Sequence, residues 1–161
     1  LLAFGRRGVV GRFLYDWFGI QLPFSTAGVV IAETFVAMPF LVLTLEAAFR
    51  SADRRIEEAA ATLGAGRWLT FRRITLPAIG PSMLAGAVLA WARALGEFGA
   101  TITFAGNFPG RTQTMPLAVY LALESDLDGA ILLSLMLVAV SFLVLVGLRE
   151  RWIGALGARA A

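Results

Sequence analysis

The chain has no cysteine, no histidine and no lysine. Without cysteine it can form neither a disulfide nor a thiolate nucleophile, and cysteine usage says nothing about redox compartment. Without cysteine and histidine, the usual sulfur and nitrogen ligands of a zinc site are missing. Without lysine there can be no Walker A loop, which needs a lysine after its second glycine to reach the nucleotide phosphates. The glycine-rich stretches 96–99 and 106–110 also lack the strand–helix setting of a phosphate loop. If ATP powers this protein, another polypeptide hydrolyses it. The same absences leave little from which to build a nucleophile, base or metal constellation, so no catalytic residue and no metal site are expected and the chain is not read as an enzyme.

Charge is scarce as well. Of 161 residues, 16% are charged and 58% are hydrophobic, whereas a soluble domain carries about 45–50% apolar residues. Three segments are long and apolar enough to cross a bilayer core, which takes about 20 helical residues. The fold class is therefore an all-α integral membrane protein, a helical bundle read as a single transmembrane domain over 1–161. Its spans are expected at about 26–49, 81–104 and 129–148, with lipid around them. All 14 positive charges are arginine, and the net charge is +3. These arginines lie beside the apolar segments rather than on a soluble face, as the positive-inside tendency requires. Nucleic acid is not an expected partner. The chain lacks an initiator methionine, and Leu1-Leu2-Ala3-Phe4 looks like the tail of a further apolar segment. Sequence is thus expected before Leu1, and no signal peptide is visible.

Residues 5–25 carry Arg6, Arg7, Arg12 and Asp16 among Phe13, Tyr15, Trp17 and Phe18. That mixture predicts a short amphipathic helix at the headgroup level, where aromatic rings can be half wet. The span 26–49 contains Glu33 and Pro39. Pro39 has no N–H to offer one turn back, which predicts a kink near 35–39.

The loop 50–80 is the most polar stretch. Arginines 50, 54, 55, 67, 72 and 73 face only Asp53, Glu57 and Glu58, and that excess predicts a cytoplasmic location. Ser51 or Asp53 can cap a helix here. Ile56, Ala59, Ala60 and Leu63 recur at helical spacing on one face, and Gly64 suits the left-handed position that ends it. A second short helix is expected over 66–75, with Pro77 and Pro81 stopping it and starting the next.

In the span 81–104, small residues recur at one-turn spacing as Gly86, Ala90, Ala94 and as Ala92, Gly96, Ala100. In lipid, such stripes let helix backbones approach closely. Residues 105–127 form an external loop that opens on turn formers at 106–110. It contains a short helix capped by Thr114, with Pro116 in its first turn. Asp128 is expected to cap the last span. Arg149, Arg151 and Trp152 would anchor that span at a cytoplasmic C-terminus.

Arg93 and Glu97 are four residues apart within the second span and share a face. A charge at mid-membrane costs roughly 2.5–3.5 kcal/mol even on a lenient insertion scale, so both should face the bundle or an aqueous path, paired. Two roles fit: contact with an anion in transit, or a structural pair that pins helix packing. Glu33 can pair with Arg93 from the neighbouring helix or with a segment preceding this sequence. Glu33, Arg93 and Glu97 are the candidate translocation-path residues.

Glu58, Ala59, Ala60, Gly64, Ile74, Leu76 and Pro77 together resemble the EAA loop of permease subunits in ABC-type importers. The resemblance implies a short coupling helix seated in a cleft of a separate ATPase subunit. That partner would bind ATP and magnesium, leaving no cofactor in this chain. The ATPase-coupling set is then Glu57, Glu58, Ala59, Ala60, Leu63, Gly64, Ile74, Leu76 and Pro77.

Residues 95–102, LGEFGATI, with their continuation TFAGNFPGRTQTMP at 103–116 and the segment LYDWFGI at 14–20, are similar to permeases for tetrahedral oxyanions of the molybdate and sulfate group, and most similar to the molybdate branch. This resemblance implies a prokaryotic plasma-membrane protein working as a homodimer, with the anion path between the copies and an extracytoplasmic binding protein delivering the oxyanion. It also implies about two further spans before Leu1. Tungstate or sulfate are the alternative cargoes. A stand-alone channel or ion-driven carrier is the alternative mechanism, and it predicts more intramembrane acids than Glu33 and Glu97.

Overall fold

Inside a bilayer every backbone polar group must find a partner within the protein, and a helix achieves this within a single segment. The computed structural model follows that rule. It describes residues 3–5 and 8–157, with side chains described as far as residue 147. Arg6 and Arg7, and the side chains of Arg149, Arg151 and Trp152, lie outside the described residues. Among the described residues all regular structure is helical. In chain order the elements are α1 (Val9–Phe18), α2 (Thr26–Ser51), α3 (Arg54–Thr62), α4 (Arg67–Thr70), a π-turn (Phe71–Thr75), α5 (Leu76–Leu95), α6 (Gly99–Phe104), α7 (Met115–Ser125) and α8 (Leu127–Gly157).

Three stretches are long and apolar enough to cross a membrane: Thr26–Ser51, Arg67–Leu95 and Leu127–Gly147. Their surfaces suit lipid rather than water. Only 6% of the apolar window of α8 is buried, and Leu132, Leu135, Val138, Phe142 and Leu143 are each at least 60% exposed. Lipid tails are as apolar as these side chains, so such exposure carries no penalty in a bilayer.

The chain divides into two compact units. One comprises Leu1–Ala37 and Ala92–Val146, and the other Met38–Trp91 and Gly147–Ala161. In the first, Thr101, Ala105, Leu117 and Ala130 are essentially fully buried. The Phe104 carbonyl accepts from the Phe24 amide at 3.3 Å, and the Thr26 hydroxyl donates to the Arg111 carbonyl at 3.1 Å. These bonds tie the start of α2 to α6 and to the loop after it. In the second unit, Ala48, Ala60, Thr70, Thr75, Ile79 and Gly86 are buried. Here α2 and α5 approach closely at Gly86: a Cβ at that position would lie 3.0 Å from Thr44 Cβ and 3.1 Å from Leu41 Cδ1. Gly86 therefore does what a small residue on a packed transmembrane helix is expected to do.

Several local expectations are altered. The helix read over 81–104 is two helices. α5 stops at Leu95, and α6 restarts at Gly99 after the Gly96-Glu97-Phe98 linker. The second small-residue stripe is thereby broken: Ala92 and Gly96 are exposed, and Gly96 lies past the helix end. Pro77 and Pro81 do not stop a helix. The chain runs from Arg67 to Leu95 as one helical stretch, with Pro81 inside α5. The π-turn explains the tolerance. Its wider i→i+5 register, in which the Leu76 amide donates to the Phe71 carbonyl, lies just before Pro77, where the ordinary ladder would lose a donor. α2 is likewise unbroken through Pro39. The cap of α8 is Asp126 rather than Asp128: Asp126 Oδ1 accepts from the Gly129 amide at 3.0 Å. Asp128 sits in the first turn, where its charge still suits the helix dipole. Thr114 occupies the N-cap of α7 with Pro116 in the first turn, but its hydroxyl makes no capping bond.

Candidate coupling surface and intramembrane ion pair

The polar loop folds into α3 for local reasons. Asp53 sits in extended geometry before the helix, and its Oδ1 accepts from the Arg55 amide at 2.9 Å. Such a cap is worth about 1 kcal/mol. Ser51, the other possible cap, donates instead to the Ala48 carbonyl. At the far end Gly64 has φ +82°, the left-handed geometry that glycine adopts without strain. The Ala65 amide donates to the Ala60 carbonyl and the Gly64 amide to the Ala61 carbonyl, both at 3.0 Å. This is the double bond pattern of a Schellman turn. Nothing lies within 4 Å of a Cβ placed on Gly64. The position is glycine because of backbone geometry, not because of crowding.

The apolar residues of α3 divide. Ala60 turns inward and is buried, whereas Ile56 is 53% and Leu63 87% exposed, and Ala59 is exposed with them. Glu58 is also exposed, while Glu57 is half-buried and accepts a hydrogen bond from the Thr75 hydroxyl at 2.5 Å. Further along, Trp68 is 72% exposed and stacks on Phe71 with centroids 5.8 Å apart. Ile74 and Leu76 are half-buried, and Pro77 is exposed. The unit thus presents an apolar strip of Ile56, Ala59 and Leu63 beside an acid, on a short helix with one defined start and one defined stop. Chemically that strip can bind a complementary surface.

The second cluster lies at the α5–α6 break. Arg93 Nη1 is 2.7 Å from Glu97 Oε2. The other carboxylate oxygen of Glu97, Oε1, accepts from the Ala100 amide at 2.8 Å in the first turn of α6. One buried carboxylate therefore joins the last turn of α5 to the first turn of α6. A charge in an apolar segment is sustained when it is paired and hydrogen-bonded in this way. Glu33, by contrast, forms no ion pair among the described residues; the guanidinium of Arg93 goes to Glu97. Phe98 packs edge-on to Tyr120 of α7 at 5.3 Å.

Thr75 and the π-turn were not found by sequence reasoning. The available signal was the spacing between Ile74 and Pro77, since a proline inside a helix requires a disturbed ladder just before it. Among the described residues no group of three or more His, Cys, Asp or Glu could hold a metal ion.

Comparison with known proteins identifies the family. The profile of the family described as "Binding-protein-dependent transport system inner membrane component" matches residues 3–154. The molybdenum transport system permease protein ModB of Mycobacterium tuberculosis is 52% identical over 151 residues, which cover 94% of this chain and 57% of that protein. The protein of the same name from Escherichia coli K12 is 46% identical over 149 residues, covering 89% of this chain and 65% of its own length. The probable sulfate transport system permease protein cysT of Chlorokybus atmophyticus is 35% identical over 147 residues, 91% of this chain and 51% of its own. The chain thus spans roughly half to two thirds of the length of these relatives. Its three membrane-length helices make it a multi-pass membrane protein. With a matching profile over nearly its whole length, the chain belongs to the family of binding-protein-dependent transport system inner membrane components.

Proposed function

We propose that this chain is the greater part of a permease subunit in an ATP-driven importer of molybdate. The observation that carries the cargo is its 52% identity, over 94% of the chain, to a molybdenum transport permease. The exposed strip of α3 supports the drive: Ile56, Ala59 and Leu63 offer a docking surface, with Glu58 beside them, to a cytoplasmic ATPase subunit that binds ATP and magnesium. Ala60 seats the helix, and Gly64 sets where it ends. Ile74, Leu76 and Pro77 lead from that helix into the membrane. The arginine excess of residues 50–80 supports a cytoplasmic location for this loop and the C-terminus. The subunit works as a homodimer fed by an extracytoplasmic oxyanion-binding protein. Two ATPase subunits close on ATP and draw the coupling helices together, and rigid-body movement of the bundle opens the path. The chain performs no bond chemistry. Arg93 meets the anion in transit, Glu97 holds Arg93 in place, and Glu33 lines the same path.

Sulfate is the second reading, favoured by the 35% identity to a sulfate permease. One experiment separates them. A strain deleted for the gene, with and without the full-length protein restored, is assayed for metal content in competing molybdate, tungstate and sulfate. Restored molybdenum that excess sulfate does not displace supports molybdate; restoration of sulfate uptake alone would replace it. If no nucleotide-binding subunit copurifies with the protein, the importer reading gives way to a stand-alone carrier.

A further inference from the structure

We propose that the Glu57–Thr75 hydrogen bond is the link through which movement of α3 enters the apolar helix, and that Thr75 is a positioning residue for coupling. This rests on α3 being the helix that docks the ATPase.

The covalent connection between α3 and α4 has little side-chain packing around it. It passes through Gly64 and Gly66, neither of which would have a contact within 4 Å even with a Cβ. Gly66, at the N-cap of α4, has no side chain with which to cap it. In this segment the two glycines add no side-chain packing through which displacement of α3 could pass to α4. The Thr75–Glu57 bond bypasses it, joining residues 18 apart in sequence at 2.5 Å. Among the described residues it is the only hydrogen bond between α3 and the stretch 67–95. A hydroxyl–carboxylate bond of this length belongs to the strong, charge-assisted class. Thr75 is 7% exposed. The bond sits at the edge of the fold, with Thr75 buried and Glu57 half-buried.

Two local features point the same way. A helical threonine ordinarily returns its hydroxyl to a carbonyl three or four residues back. Thr75 instead commits its hydroxyl to the other helix. It is also the last residue of the π-turn, two positions before Pro77. The backbone ladder is weakest there, so a pull on Thr75 acts where the helix yields most readily. The adjacent acids of α3 thus have separate tasks. Glu58 faces out toward the partner, and Glu57 faces in and holds Thr75.

The test uses the permease reconstituted with its ATPase and binding protein in proteoliposomes, reading ATP hydrolysed per molybdate transported. Thr75→Val removes the hydroxyl at nearly constant shape. It should raise that ratio about fivefold, the scale of one coupling hydrogen bond, while the ATPase still copurifies. Thr75→Ser should restore the wild-type ratio, and adding Glu57→Ala to Thr75→Val should make it no worse. A wild-type ratio in Thr75→Val overturns the proposal. So does failure of Thr75→Ser to restore coupling, or loss of the ATPase from Thr75→Val, which would make the bond part of the docking surface. If the wild-type complex hydrolyses no ATP in response to molybdate, the importer reading falls, and the link falls with it.

Discussion

Arg93 and Glu97 form an ion pair whose two members differ in exposure: the Glu97 side chain is 6% exposed and that of Arg93 38%. The acid is fully engaged, with one oxygen on Arg93 and the other on the Ala100 amide. The arginine has further N–H groups, and among the described residues no second acid pairs with it. An arginine held by one carboxylate, with its side chain still partly open, keeps donors that a tetrahedral oxyanion could accept from.

Arg93→Ala should therefore reduce molybdate flux more than it reduces assembly. A loss of about tenfold corresponds to one charge-assisted hydrogen bond. Arg93→Lys should recover only part of it, because a point charge does not replace the planar fork. Uptake is compared with the amount of assembled complex in the same membranes. Unchanged uptake would leave Arg93 as a packing residue.

Glu97 is placed to act on folding. Glu97→Ala removes the partner of Arg93 and the acceptor for the Ala100 amide together, and should destabilise the protein by about 2 kcal/mol. That lies below the cost of breaking a fully buried pair, because Arg93 keeps access to its surroundings. Glu97→Gln retains an acceptor for Ala100 and should lose less. Thermal unfolding in detergent measures both, and equal losses would show that only the charge matters.

Gly64→Asp leaves nothing to clash with, since no atom lies within 4 Å of the new Cβ. The left-handed φ costs about 1 kcal/mol for a non-glycine residue. Membrane insertion should survive, while the added charge next to Leu63 uncouples ATP hydrolysis from uptake. Glu58→Lys, on the same exposed helix, should behave alike. Normal molybdenum accumulation in cells carrying Gly64→Asp would contradict the docking role of this surface.

Gly86→Val forces a branched side chain into a space bounded by Thr44 Cβ at 3.0 Å and Leu41 Cδ1 at 3.1 Å. Overpacking of this kind costs about 1–3 kcal/mol. The melting temperature should fall even though valine suits lipid. A variant as stable as the wild type would show that α2 and α5 can separate there freely.

Much of the helical plan was legible before any coordinates. Long apolar runs announced the three membrane-length helices, because a bilayer leaves the backbone few other choices. Asp53 and Gly64 announced the limits of α3, because a capping carboxylate and a left-handed glycine act within four residues of themselves. The ends of α8 and α7 were read less well. Asp126 and Asp128 are equally good caps by composition, and the choice depends on where α7 stops.

By itself, the sequence determined the class of protein, the number of long apolar helices and the position of the polar segment between them, all of which follow from local composition and spacing. Only the tertiary structure decided that Glu57 turns to Thr75 while Glu58 stays outside, that Glu33 does not join the Arg93–Glu97 pair, and that α5 ends at Leu95. Adjacent acids are alike in sequence, and a carboxylate's partner is chosen by whichever donor the packing brings within about 3 Å. That distance is a property of the folded chain alone.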